Sequence, residues 1–380
     1  MTTVYRPNVR SNTRPGLFPS LLSTLVLLGA VALPTQAQPI RVEIDPSIKP
    51  QNPELLLKPL LDNAEAALKA RRFDDAVRYY QSATEYEPDN ERHLPRRWAL
   101  AQSQRGDFRA SAEAFRRAIA LDSNNADFHA GLGFALGNLE EYDQASQAYR
   151  KAIAQDSKKY DAYVGLGSVL QRQKRFDEAA TVYTQLKSLQ PRDWRPYEAL
   201  GTILIQKRKY AEALPLLQQA EGFAPSNGRI QLSKAVAFLG LNRPSEGASA
   251  LEKAAVIERT NAQIFFKLGE VYQIMGQGQK AFEAFRTAVK LQPDFLEAQS
   301  AIGKLLMAER DYPRAMIVYR QILEKSPKDA DAYFNLAIAL RARDRVSEAV
   351  EALTSAQRFF KEQGNREKLA ETEKLLKELR

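Results

Sequence analysis

The chain has 380 residues, 44% of them hydrophobic, enough to bury a continuous core and to exclude wholesale disorder. It contains no cysteine, which excludes disulfides, thiolate metal sites and cysteine nucleophiles together; its two histidines, His93 and His129, leave little material for a zinc site or a histidine base. The net charge of +9 sets 55 Lys and Arg against 46 Asp and Glu, mostly interleaved, which is the pattern of a solvated surface and speaks against a nucleic-acid partner.

Residues 1–37 read as an export signal. Arg6, Arg10 and Arg14 precede an apolar run from Leu21 to Leu33, and Thr35 and Ala37 supply small residues at the two positions a signal peptidase inspects, so cleavage is expected after Ala37. The apolar run is short for a membrane-spanning helix; the rival reading is an uncleaved anchor that tethers the chain to the membrane. The absence of cysteine excludes a bacterial lipoprotein and suits the oxidising periplasm. Cleavage removes three arginines and no acid, leaving 52 basic against 46 acidic residues, a net +6. Residues 38–56, with Pro39, Pro46, Pro50 and Pro53, are expected to form an extended arm.

From residue 57 the chain repeats. Units are expected at 57–91, 92–125, 126–159, 160–193, 194–227, 228–261, 262–295, 296–329 and 330–363. Their eighth position is always small (Ala64, Ala99, Gly133, Gly167, Gly201, Ala235, Gly269, Gly303, Ala337), and so is the twentieth, from Ala76 to Ala349. The twenty-fourth is always large and apolar or aromatic, among them Tyr80, Phe115, Tyr149, Tyr183, Phe285 and Tyr319. Proline closes five units at position 32: Pro88, Pro191, Pro225, Pro293 and Pro327. Within a unit the apolar residues recur at three- and four-residue spacing over two stretches, which predicts two helices joined by a turn such as "KRFD". Asp74, Asp143, Asp177, Ser245 and Ser347 are placed to cap the second helix. Small residues at positions 8 and 20 would let the two helices cross closely, with position 24 filling the space between one pair and the next. Residues 364–380, with Leu369, Leu375, Leu376 and Leu379 on one face, are expected to form a capping helix over the last apolar surface.

This combination of positions resembles the tetratricopeptide repeat (TPR) over residues 57–363. Unit 6 departs most, with Lys234 where a leucine is usual, Gly247, and no closing proline. The resemblance implies an all-α solenoid, a right-handed superhelix of nine helix-turn-helix repeats. It also implies that positions 2, 5, 6, 9, 12 and 13 of each first helix line a concave groove. These supply Arg96 and Arg97 in repeat 2, Phe134 and Asn138 in repeat 3, Gln171 and Arg172 in repeat 4, and Arg195, Glu198 and Thr202 in repeat 5. Repeat 7 adds Phe266, Glu270 and Gln273, repeat 8 Lys304, and repeat 9 Phe334, Asn335 and Arg341. Aromatics beside polar groups in such a groove suit an extended or helical peptide, unless the rings pack into the neighbouring helix. The lysine/asparagine clamp by which some TPR proteins hold a terminal carboxylate is absent: repeat 1 offers Leu61 and Glu65 at the matching places.

Repeat 2 is locally basic, which a solvated helical surface explains for most of its arginines; the sharper reading is that Arg96 and Arg97, neighbouring groove positions, dock an acidic segment or terminal carboxylate of a partner. Asp127, Asp161, Glu297 and Asp331 recur at position 2, where an acid is favoured by the helix dipole. Asp127 and Asp161 are also the candidates for a hard cation, Mn²⁺ or Ca²⁺, and His93, at a groove position, is a third candidate ligand; otherwise no cofactor is expected. His129, at position 4, falls in the core.

Signal, arm, repeats and cap together leave no residues for a catalytic domain. The expected function is therefore a non-enzymatic periplasmic scaffold that binds a segment of a partner protein during assembly of a membrane or envelope complex. The layout is also similar to that of the PratA-like cyanobacterial photosystem II assembly factors, which implies binding of the D1 precursor and delivery of manganese. Exported TPR proteins of envelope or exopolysaccharide assembly share the same layout.

Overall fold

The structure is a computed structural model and describes residues 54–86 and 94–379. The signal sequence, the arm up to residue 53, Pro88 and His93 lie outside the described residues. Among those residues there are nineteen helices and no strand, and no helix is long and apolar enough to cross a membrane.

The chain divides into two compact units, Met1–Ile203 and Leu204–Arg380. The first holds the pairs α1 (Glu54–Lys69) and α2 (Phe73–Tyr86), α3 (Leu94–Arg105) and α4 (Phe108–Leu121), α5 (Ala126–Asn138) and α6 (Tyr142–Gln155), and α7 (Tyr160–Arg172) and α8 (Phe176–Leu189). It ends inside α9 (Trp194–Gln206). The second holds α10 (Tyr210–Phe223), then the pairs α11 (Gly228–Gly240) and α12 (Pro244–Ile257), α13 (Ala262–Ile274) and α14 (Gly278–Leu291), α15 (Leu296–Ala308) and α16 (Tyr312–Lys325), and α17 (Ala330–Arg341) and α18 (Val346–Glu362). A last helix, α19 (Arg366–Leu379), packs on α18. The first helix starts at Glu54, three residues inside the stretch read from sequence as arm.

Each pair turns in the same way. Position 15 of every unit has positive φ: Gly106 and Gly276, but also Arg71, Glu140, Lys174, Arg208, Asn242, Arg310 and Asp344. A residue in this left-handed region ends the first helix and lets the following amides reach back to its last carbonyls. Thus Lys174 N–H donates to Gln171 O and Arg175 N–H to Leu170 O.

The capping expectation needs correction. The second helices begin at position 17, so Asp143 and Asp177 sit inside the first turn and do not cap it. Asp74 lies in the first turn of α2, and Ser245 and Ser347 fall likewise inside α12 and α18. The N-cap is position 16, where Asp107 and Asp311 accept from Ala110 and Arg314 N–H. The acids at position 18 act instead on the positive end of the helix dipole.

Packing explains the periodic residues. Ala145, Ala179 and Ala281 at position 20 are fully buried, as are Phe285 and Tyr319 at position 24. The ring at position 24 stands on the glycine at position 8 of its own unit: a Cβ at Gly167 would lie 2.4 Å from Tyr183, and one at Gly269 would lie 2.5 Å from Phe285. Successive repeats are tied by a second periodic contact, from a position 4 side chain to the position 32 carbonyl before it. Tyr197 Oη donates to Pro191 O at 2.8 Å, and Gln299 Nε2 to Pro293 O at 2.8 Å. His129 Nε2 meets Ser123 O at 2.8 Å in the same place, which gives this buried histidine a structural role.

Candidate functional site

In the second unit the first helices α13, α15 and α17 border an open pocket of about 550 Å³. Its apolar part is Phe266, Leu296 and Ala301, with Phe285 of α14 and Ile322 of α16 behind them. Phe266 is held in place by Phe285, at 5.5 Å between ring centroids, and by Phe295, at 4.9 Å. Four carboxylates line the same space (Glu270, Glu297, Asp329 and Asp331), against one ammonium, Lys304. Glu270 is paired with Lys267 at 2.7 Å, and Asp329 caps α17 by accepting from Ala332 N–H at 2.8 Å. Glu297 and Asp331 are exposed and form no salt bridge among the described residues.

Four residues expected from sequence, Phe266, Glu270, Gln273 and Lys304, are therefore brought to one pocket. Ser300 and Ala301 complete it from positions 5 and 6, the groove positions, where small side chains offer neither charge nor ring to draw notice. Two more apolar residues at groove positions of this unit, Val236 and Ile274, are exposed.

In repeat 9 two of the three expected groove residues, Phe334 and Arg341, are taken up by α19. Phe334 is only 3% exposed, edge-on to Phe360 at 6.2 Å and under the Lys368 ammonium at 4.9 Å. Arg341 Nη1 donates to Glu378 at 3.2 Å. Asn335 Nδ2 donates to Asp331 O at 2.8 Å. Phe334 is thus core beneath the last helix, not a presented ring: a capping helix must cover the apolar surface next to it.

In the first unit most expected groove residues are occupied by their neighbours. Phe134 lies half-buried, edge-on to Phe108 at 6.0 Å, and Asn138 Nδ2 donates back to Phe134 O. Gln171 Oε1 accepts from Tyr183 Oη at 3.2 Å, while Arg172 is exposed. Arg195 bonds Tyr160 Oη and Asp193 and lies over the rings of Tyr160 and Trp194. Burial and the hydrogen bond to Asp193 hold the Tyr160 hydroxyl well above its usual pKa. Glu198 is 2% exposed and cannot meet a partner; Thr202 Oγ1 donates to its carbonyl at 2.5 Å.

The sequence profile described as "Tetratricopeptide repeat" matches residues 61–94, 135–193, 198–263, 266–330 and 301–363, well over half of the chain. A second profile, "TPR repeat", matches residues 101–139. The chain belongs to the tetratricopeptide repeat family. A TPR repeat-containing protein of Picosynechococcus sp. is 38% identical over 86 residues, 23% of this chain and 22% of that protein. The BBSome complex member bbs-4 of Caenorhabditis elegans is 28% identical over 128 residues, 33% of this chain and 26% of that one. The chain thus spans about a quarter of the length of these curated relatives. A solved tetratricopeptide repeat protein from Parabacteroides merdae matches with a TM-score of 0.54 at 13% identity, over 67% of this chain and 99% of that one, a likeness of fold.

Two expectations for this TPR chain meet obstacles in the first unit. The Arg97 guanidinium donates to Glu65 Oε1 at 2.5 Å, so the cation expected to receive an acidic partner already has a carboxylate; the side chain of Arg96 lies outside the described residues. Asp127, a candidate cation ligand, is ion-paired with Lys159. Asp161 is half-buried, and burial raises its pKa against the pull of Lys159 and Arg195. Among the described residues no group of three or more His, Cys, Asp or Glu stands together to hold a metal ion.

The departure of repeat 6 has a structural reason. Lys234 is 7% exposed and its ammonium is paired with Glu221 of α10, which also accepts from Gln231 Nε2 at 2.7 Å. Burial works to raise the Glu221 pKa, but the bonds from Lys234 and Gln231 and the charges of Lys234 and Lys253 outweigh it and hold the carboxyl below its usual range.

Proposed function

We propose that this TPR protein is a non-enzymatic adaptor that is exported to the periplasm and holds a segment of a partner protein on the first-helix face of repeats 7 to 9 while a membrane or envelope complex is assembled. The observation that carries the reading is the pocket around Phe266. It is open, has an apolar floor fixed by ring contacts, and is rimmed by exposed charges at successive repeats. A surface of this kind suits a polypeptide segment, whose side chains enter the floor while its backbone and charges meet the rim. Export rests on the pattern of residues 1–37 alone.

The test is photo-crosslinking in the source cell, with a benzophenone amino acid at Ser300 in the pocket or at Ile317, an exposed residue of α16. A discrete crosslinked partner from Ser300, absent from Ile317 and lost in Phe266→Ala, is expected. Equal labelling from both positions would remove the pocket from the function. Amino-terminal sequencing of the periplasmic fraction tests export separately, with Gln38 expected as the first residue.

A further inference from the structure

The polarity of the repeat 7–9 pocket goes against that of the whole chain. The protein carries +9, yet the pocket has four carboxylates and one ammonium. Comparing one repeat with another shows how this arises. The last residue of repeat 3 is Lys159, and it pairs with Asp127, the first-turn acid of its own repeat. In repeat 8 the first-turn acid is Glu297, and the residue equivalent to Lys159 is Asp329. Both line the pocket, so a second carboxylate stands where repeat 3 places a neutralising lysine. Asp331, the first-turn acid of repeat 9, adds a third. A favourable helix-dipole contact accounts for an acid at the first turn. Asp329 also caps α17, but Asn125, Asn227 and Asn261 cap their helices from the equivalent position without a charge, so the cap does not require the carboxylate.

Resting on the reading that this pocket holds a partner segment, we propose that the segment it selects is cationic and apolar together: an aromatic or long aliphatic residue flanked by lysine or arginine. The apolar residue sits on Phe266 and Leu296, and the flanking cations meet Glu297, Asp329 and Asp331. Guanidinium–carboxylate pairs at the rim discriminate by sign, since a like charge there is repelled, whereas the floor alone accepts any apolar side chain. Lys304, the single cation, opposes such a ligand and supplies an internal control.

The experiment is fluorescence anisotropy of the purified chain with three labelled peptides of equal length. One has a central phenylalanine–leucine between arginines, one has the same centre between glutamates, and one has a central glycine–glycine between arginines. The arginine–phenylalanine peptide is expected to bind about tenfold or more tighter than either of the others at about 0.15 M salt. Its affinity should fall about tenfold in Glu297→Gln with Asp331→Gln and rise in Lys304→Ala, with circular dichroism melts unchanged. Tighter binding of the glutamate peptide, lost in Lys304→Ala, would overturn the proposed sign while leaving the pocket as the partner site. Equal binding of the glycine peptide would reduce the effect to bulk charge and overturn the proposal. Binding of all three that ignores Phe266→Ala would overturn both the proposal and the pocket.

Discussion

The ring of Tyr149 stands directly on the backbone of Gly165. A Cβ at Gly165 would lie 2.2 Å from Tyr149 Cζ, and on the other side one at Gly133 would lie 2.9 Å from the same ring. Tyr149 is thus clamped between the first helix of its own repeat and that of the next. Because the ring is buried and cannot swing away, Gly165→Ala is expected to destabilise the protein by ~1–3 kcal/mol through overpacking. Gly222, also helical, has nothing within 4 Å of its Cβ direction. Gly222→Ala should therefore be neutral or gain up to about 1 kcal/mol from helix propensity. Urea unfolding of the two variants beside the parent separates these outcomes by the direction of the midpoint shift.

That clamp shows what a repeated sequence discloses and what it hides. The small residues at position 8 are visible by counting, and so are the rings at position 24, but that one stands on the other is a matter of side-chain direction. The helix pairs followed from hydrophobic spacing, since every repeat votes for the same pattern. The caps did not: Asp143 and Ser245 are good capping residues two positions too late, and propensity alone cannot locate a helix start to within two residues. In the candidate site, Phe266 and Lys304 were legible from groove positions. Glu297 and Asp331 stand at position 2, itself a groove position, but an acid there is already explained by the helix dipole, so nothing in the sequence singles them out. Phe334 and Glu198 occupy groove positions and are buried by their neighbours, which position-counting cannot register.

The turn at position 15 carries a backbone cost that differs between repeats. Arg310 has φ 60° and Gly276 has φ 69° at equivalent places. Left-handed backbone costs a non-glycine residue roughly 1 kcal/mol, so Arg310→Gly should stabilise repeat 8 by about that amount. Gly276→Ala should lose a similar amount, although its Cβ would meet no atom within 4 Å. Thermal melts of the two single variants check the opposite signs; a loss in both would mean that Arg310 holds its turn through its side chain.

The Glu221–Lys234 pair predicts an asymmetry between its partners. Glu221→Leu strands a nearly buried ammonium, and breaking such a pair costs up to about 3–5 kcal/mol. Lys234→Leu should cost less, because Glu221 keeps Gln231 and Lys253, the latter at 3.5 Å. The double variant should recover most of the loss, since apolar residues replace a buried ion pair at little net cost. The pH dependence has a definite sign. The Glu221 carboxyl is depressed in the folded state from an ordinary value of 4.5, so its contribution is full above that pH. It fades as pH falls through the lower folded value, and the stability gap between the parent and Glu221→Gln should close over the same acid range. Denaturant titrations from neutral pH down through that range measure the gap.

The last helix should be indispensable to the second unit. Thr372 is fully buried and Leu376 nearly so, and α19 covers the apolar side of α18 around Phe360, which is itself fully buried. Lys368 covers Phe334, and Glu378 pairs with Arg341 at 3.2 Å. Ending the chain before Arg366 removes these contacts together and opens the terminal face of an open-ended stack, whose final repeat has no neighbour to bury it. The truncated protein is expected to bind a hydrophobic dye that the parent does not, and to self-associate with rising concentration. Amide hydrogen exchange should show faster opening of α17 and α18, with α1 to α8 unchanged, because in a linear array each repeat is stabilised chiefly by its immediate neighbours. A gentler variant, Leu376→Asn, should reproduce the local loss of protection with the chain length intact. If α17 and α18 keep their protection in both variants, the helix is dispensable to the stack, and its apolar stripe is a surface for something else.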